Sequence, residues 1–200
     1  MEVKSFPTRE AYLSAQERTE RSRSKRPFYV AGELEAVAEY VLGVTRECCG
    51  ISHYPRPGYD ALCHGARYGH EVERLRELLP GSNVIGTDLF PKNDLCVQHD
   101  FRIPKPEWMG KFDFLFSNSL DHSDDPETTL RVWFHQLRPD GLLFLEWCKN
   151  HMTTASGDCF GANLHEYIEL IETVGELKEI LYIGTKYRVC VLVGKRKNTP

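Results

Sequence analysis

The 200 residues, 41% hydrophobic and 27% charged, have the make-up of an ordinary globular protein with enough chain for one substantial core. A formal net charge of -4 argues against a chain built to coat nucleic acid or an anionic membrane, and no apolar run reaches the roughly 20 residues of a membrane helix. The first residues lack the apolar segment of a secretory signal, and the seven cysteines follow no framework spacing, so reduced thiols and a cytoplasmic location are expected.

Thr8 is placed to cap a polar helix over residues 9–22, which runs into the basic stretch Arg21, Arg23, Lys25, Arg26 before Pro27. Cations suit a helix C-terminus, and that reading is preferred to a patch for an anionic partner. A second helix is expected over residues 28–42, near the mouth of the site. Leu34, Val37, Ala38, Val41 and Leu42 share one of its faces, and Gly43 ends it. Residues 44–58 read as a loop, which makes 1–58 a helical N-terminal cap on a domain spanning 59–200.

From Tyr59 the pattern becomes regular. Apolar runs DALCH, NVIGT, LCVQ, FDFLFS and GLLFLEW are interleaved with helical stretches HEVERLRELL, PETTLRVWFHQL and NLHEYIELIETVG. Such alternation argues for a parallel sheet with helices on both faces. Val72, Leu75, Leu78 and Leu79 make an apolar stripe that Pro80-Gly81 stops, Pro126 opens a helix behind Asp124 and Asp125, and Asn163 with Glu166 has the spacing of a capping box. The last two runs, ELKEILYIG and YRVCVLVGK, lie too close for a helical crossover and must pair as an antiparallel hairpin. The expected fold is a doubly wound α/β sheet of seven strands, mostly parallel, ending in that hairpin.

The most informative stretch is ALCHGARYGHEV, where two glycines, Gly65 and Gly69, follow the first regular strand as the chain turns helical. VIGTDL then places Asp88 and Leu89 at the end of the next strand, and QHDF places Asp100 and Phe101 after the third. FDFLFSNSLDH runs through Ser117 and Asn118 to Asp121 and His122. In this order, five strand-helix units and a terminal hairpin, residues 59–195 resemble the class I S-adenosylmethionine-dependent methyltransferases. The resemblance implies S-adenosyl-L-methionine as cofactor. It also implies a turn of Gly65, Arg67 and Gly69 under the methionine part, Asp88 on the two ribose hydroxyls, and Asp100 near the adenine amine. Residues 117–122 would lie beneath the transferring methyl. Two positions depart from the family pattern: its acidic residue at the end of the first strand is Cys63 here, and its middle glycine is Arg67.

Each position also has a physical reason. Glycine at a strand-to-helix turn lets backbone and ligand approach where a Cβ would clash. The helix N-terminus behind it favours an anionic group. A strand-end carboxylate can accept from both ribose hydroxyls, and Arg67 is expected to pair with the cofactor's carboxylate. A nicotinamide cofactor fits less well, because G-x-G-x-x-G from Gly65 fails at Arg67 and His70.

For removing a proton from an acceptor, His122 is the first choice, with Asp121, Asp124 and Glu146 nearby in sequence. The alternative is that Asp121 and His122 only shape the cofactor pocket. SNSL lacks the D/N-P-P-Y/F motif of amino-methylating DNA enzymes. No metal ligands are expected: Cys148, His151, Cys159 and His165 match no zinc spacing, while Asp121, Asp124 and Asp125 permit metal-assisted methylation without indicating it. Tyr12, Tyr29, Tyr54, Trp147 and Phe160 could wall a pocket for a small-molecule acceptor. A nucleic-acid acceptor is disfavoured by the net acidity, and no membrane partner is expected. The altered first loop motivates a reading from another class, a methyltransferase-like fold that has lost activity and serves as a scaffold.

Overall fold

A computed structural model describes residues 1–22, 32–42, 58–155, 157–183 and 188–194. In chain order these form β1 (Glu2–Val3), α1 (Arg9–Ser22), α2 (Glu33–Leu42), β2 (Asp60–His64), α3 (His70–Leu78), β3 (Asn83–Asp88) and β4 (Cys96–Gln98). There follow β5 (Phe112–Ser117), α4 (Pro126–Gln136), β6 (Leu137–Cys148), β7 (Phe160–Gly161), α5 (Leu164–Val174), β8 (Glu176–Tyr182) and β9 (Arg188–Gly194). Seven strands make one sheet in the order β4-β3-β2-β5-β6-β9-β8. Strands β4 to β6 run parallel, and β9 lies antiparallel between β6 and β8, which is the expected terminal hairpin.

Alternation along the strands explains why both faces are covered. Leu62, Leu115, Leu143 and Leu145 point to one side, where Trp133, Tyr167 and Ile171 of α4 and α5 cover them. Ala61, Cys63, Phe114, Phe116 and Phe144 point to the other, against Val37 and Val41 of α2 and Val72 and Leu75 of α3. A sheet buried on both faces needs near-continuous apolar strands, as these are. Burying each such side chain contributes about 1.5–3 kcal/mol.

The helix ends follow their sequence signals. Thr8 Oγ1 accepts from the Ala11 N–H at 3.2 Å, Asp125 Oδ1 from Thr128 at 3.1 Å, and Asn163 with Glu166 completes a capping box. Two of the five strand-helix units lack their helix. A loop joins β3 to β4, and a single 3-10 turn, Pro106–Trp108, lies between β4 and β5. Pro91, Pro104 and Pro106 in these links withhold backbone donors that a helix would need.

Helix α2 is described only from Glu33; residues 28–31 lie outside the described residues, as do Arg23, Lys25 and Arg26. It packs on the α3 side, with Glu35 taking two bonds from Arg74, and does not reach the mouth of the site. That position belongs to α1, whose buried face carries Tyr12 and Gln16 to the site.

The last residue of β2 ties the sheet to α4. His64 Nε2 lies 2.8 Å from Gln136 Oε1 and Nδ1 lies 2.8 Å from Thr87 Oγ1, which together fit one neutral tautomer. The ring stacks on Trp133 with centroids 4.9 Å apart. Burial pushes its pKa down to about 3, against the pull of Gln136. An imidazole kept neutral in the fold takes up its proton only on unfolding, so its contribution to stability declines as pH falls from about 6.5 toward 3. Chemical denaturation across that range should show the decline. His64→Gln should be less stable at neutral pH and show a shallower decline; an unchanged slope would contradict the neutral ring.

Candidate functional site

Strand order reverses between β2 and β5, and the crevice beyond their carboxyl ends is where an open parallel sheet takes a ligand. The chain leaves β2 through a turn that only certain residues can make. Gly65 has φ 76°, and a Cβ there would sit 2.2 Å from Ser119 Oγ. Gly69, φ 70°, precedes the first residue of α3. Between them Arg67 has φ 26°, a left-handed backbone where an L side chain is strained. The turn is stitched to β3 and the segment after it by Ala66 N–H donating to Thr87 O at 2.9 Å and Lys92 N–H to Arg67 O at 2.9 Å.

Two adjoining cavities open at these strand ends. The first, about 200 Å³, is lined by the glycine turn together with Glu71, Asn118, Asp121, His122, His151 and Asp158. The second, about 70 Å³, lies between α1 and the end of β3, where Tyr12, Gln16, Asp88, Leu89 and Phe101 meet. Gly65, Arg67, Ser119 and His122 line both.

Asp88 stands at the end of β3, and its Oδ1 accepts from the Phe90 N–H at 2.7 Å, closing the turn that follows. Burial pushes its carboxyl pKa above the ordinary value, while the Phe90 N–H, Arg67 and His122 pull against that rise. His122 Nδ1 lies 2.8 Å from the Gly157 carbonyl, a bond that requires the proton on Nδ1. The backbone around it is fixed from α1: Tyr12 Oη donates to His122 O at 3.1 Å and Gln16 Nε2 to Gly157 O at 2.8 Å. Tyr12 is held in turn by the Arg102 guanidinium, 3.6 Å from its ring centroid.

The sequence-predicted residues therefore divide. Gly65, Arg67, Asp88, Leu89, Phe101, Asn118, Asp121 and His122 line the two cavities. Ser117 lies beneath them, its hydroxyl donating to His64 O at 3.2 Å and accepting from Ser119 N. Gly69 acts through the backbone. Asp100 stands apart: Arg102 bonds both its oxygens and Arg9 Nη2 lies 3.2 Å from Oδ2. Burial pushes the Asp100 pKa up, but Arg102 outweighs it and holds the carboxyl below its usual value. Asp124 pairs with Arg102, Asp125 caps α4, and Glu146 is buried on β6 away from both cavities.

Of the aromatics expected to wall a pocket, the described ones divide. Tyr12 lines the second cavity, whereas Trp147 and Phe160 belong to the core under α5, and Tyr29 and Tyr54 lie outside the described residues. Cys63 is likewise in the core, its thiol pKa pushed up by burial. The carboxylate missing at that position has a counterpart in Glu71, from the first turn of α3, which lines the first cavity and accepts from Asn118 Nδ2 at 3.4 Å. In the sequence Glu71 reads only as an acidic residue suited to a helix start. Asp158 and His151 carry no local signal at all.

A sheet in this order, with a glycine turn at its switch point, is the fold of the class I S-adenosylmethionine-dependent methyltransferases. Neither a family model nor a curated protein matches the chain. Solved structures match it across most of its length. The 1,6-didemethyltoxoflavin-N1-methyltransferase of Burkholderia thailandensis, with bound 1,6-didemethyltoxoflavin and S-adenosylhomocysteine, is 14% identical over 94% of this chain and 86% of that one, at a TM-score of 0.64. A TehB-like SAM-dependent methyltransferase from Corynebacterium glutamicum is 16% identical over 92% and 99%, at 0.59. A SAM-dependent methyltransferase from Aquifex aeolicus is 14% identical over 80% and 89%, at 0.56.

A carboxyl pKa raised in the folded protein means that the fold binds the proton more tightly than the unfolded chain does. The contribution of Asp88 to stability is then full below its unfolded pKa and lost as pH rises through the raised value. Asn at this position keeps an acceptor for the Phe90 N–H and carries no charge. Asp88→Asn should therefore be no less stable than wild type at neutral pH. Thermal melts check this, and a clear loss of stability would mean that the ionised group supports the fold.

Proposed function

We propose that the protein transfers a methyl group from S-adenosylmethionine to a small polar acceptor. The observation that carries this reading is that Asp88 and the glycine turn share one wall: a strand-end carboxylate and a close-approach backbone meet around Arg67. The residues fit the cofactor by charge and shape. Asp88 can accept from vicinal ribose hydroxyls, Arg67 and the α3 N-terminus suit a carboxylate, and Glu71 suits an ammonium group. When bound, S-adenosylmethionine supplies a methyl carbon already activated by its sulfonium.

The side of the larger cavity away from the glycine turn and Glu71 receives the acceptor. Asn118, Asp121, His122, His151 and Asp158 offer it hydrogen bonds, which favours a small polar acceptor. His122 and Asp121 face the nucleophilic atom, and the proton released by an O–H or N–H acceptor leaves through them. Tyr12 and Gln16 position His122 by holding its backbone and that of Gly157.

The scaffold reading rests on Arg67 and Cys63, where the loop departs from the family pattern. Glu71 weakens it by returning a carboxylate to the cavity. Cys63, Cys96, Cys148 and Cys159 are all free and buried, which supports a reducing, cytoplasmic setting. No described helix is long and apolar enough to cross a membrane.

S-adenosylhomocysteine should raise the melting temperature while NAD leaves it unchanged; no shift with millimolar S-adenosylhomocysteine would favour the scaffold. Hydrogen bonds to a charged partner contribute about 1.5–3 kcal/mol when lost from a buried site. Asp88→Asn should accordingly weaken S-adenosylhomocysteine binding at least about tenfold, by calorimetry on the folded variant. Wild-type affinity should also fall as pH drops through the raised Asp88 pKa.

Arg67→Ala tests the charge pairing separately. A tenfold or greater loss of affinity is expected, and an unchanged dissociation constant would leave the guanidinium without a ligand to hold.

A further inference from the structure

The acceptor side of the larger cavity carries a group of donors that methyl transfer does not require. Asp121, His122 and Asp158 each offer one ligand atom, and these atoms lie within 4.8 Å of one another. Donors sharing one ion at about 2.0–2.2 Å lie at most about 4.4 Å apart, so small side-chain adjustments close the set. A second imidazole is adjacent: His151 Nε2 lies 3.7 Å from Asp121 Oδ2.

A second, independent observation points to a ligand. Asp121 is only 6% exposed, it lines the cavity, and its Oδ1 has no hydrogen-bond partner. A buried carboxylate oxygen without a donor is costly, and a cation in the cavity would remove that cost. The surroundings are prepared as well. The contact with the Gly157 carbonyl fixes the His122 ring before any ion arrives, as backbone carbonyls commonly do for metal-binding histidines.

We propose that Asp121, His122 and Asp158, with His151 beside them, bind one divalent first-row transition metal ion. Mixed carboxylate and imidazole donors suit Mn²⁺ or Zn²⁺ better than Mg²⁺, which prefers oxygen ligands alone. Binding of the ion does not depend on methyl transfer. Its use does rest on that reading: it would hold and acidify an oxygen or nitrogen of the acceptor, with His122 then serving as ligand in place of base.

The test uses the full chain, treated with chelator and desalted, and titrated with MnCl₂, ZnCl₂ and MgCl₂ by calorimetry. One Mn²⁺ or Zn²⁺ per chain is expected, with affinity reduced at least tenfold in both Asp121→Asn and Asp158→Asn. His165→Gln, at an exposed histidine beside Glu169 and away from the cavity, should bind as wild type does. Circular dichroism verifies folding. Because the Asp158 side chain is 30% exposed, its variant keeps the test valid if Asp121→Asn misfolds. Absorption bands of added Co²⁺ report imidazole ligation directly. Absence of saturable binding, preference for Mg²⁺, or affinity indifferent to both substitutions would overturn the site. S-adenosylhomocysteine affinity, measured on the same samples without metal, separates that failure from a failure of the methyltransferase reading.

Discussion

Gly65 has no room for a methyl group. With Ser119 Oγ 2.2 Å from where its Cβ would stand, the turn after β2 and the turn after β5 can close on each other only because one of them lacks a side chain. Everything in the site depends on that approach. It lets Gly65 and Ser119 form one wall common to both cavities, with Arg67 and His122 on either side. It falls at β2 and β5, the pair at which strand order reverses, so the crevice and the tight turn coincide.

Around this contact the charges are arranged in two groups. Arg102 joins Asp100 and Asp124 and lies over Tyr12, which fastens α1 to the carboxyl edge of the sheet. Arg67 and Asp88 stand in the cavity wall, where their charges face space available to a ligand. The first group is largely satisfied within the protein. The second lines a cavity, so a ligand entering there would meet its charges directly.

The sequence was most legible where the chemistry is local. The strand runs, the capping residues and the terminal hairpin are encoded in neighbouring positions, and Gly65, Arg67 and Asp88 sit at strand ends that the same runs define. What local pattern hides is assembly from distant segments. Asp158 joins Asp121 and His122 only because the chain after β6 folds back across the site, and Tyr12 arrives from a helix more than a hundred residues away from the His122 carbonyl that it bonds. Trp147 and Phe160 illustrate the converse error. Composition marks them as aromatic material near the site, but their strand faces turn them into the core under α5. Asp100 shows how an acidic residue at a suggestive position can be engaged by neighbouring arginines.

The buried carboxyl of Asp88 has a consequence for the lifetime of the molecule. Its raised pKa means that the ionised form weighs against folding even with the Phe90 N–H and Arg67 beside it. A ligand that supplies further hydrogen bonds stabilises the native state in proportion to the logarithm of its concentration, by about 2.7 kcal/mol at a hundredfold excess over its dissociation constant. A shift of that size alters the fraction of chains open to proteolysis by roughly two orders of magnitude. If S-adenosylmethionine is that ligand, as proposed above, the amount of this protein that persists in a cell would follow the supply of the cofactor.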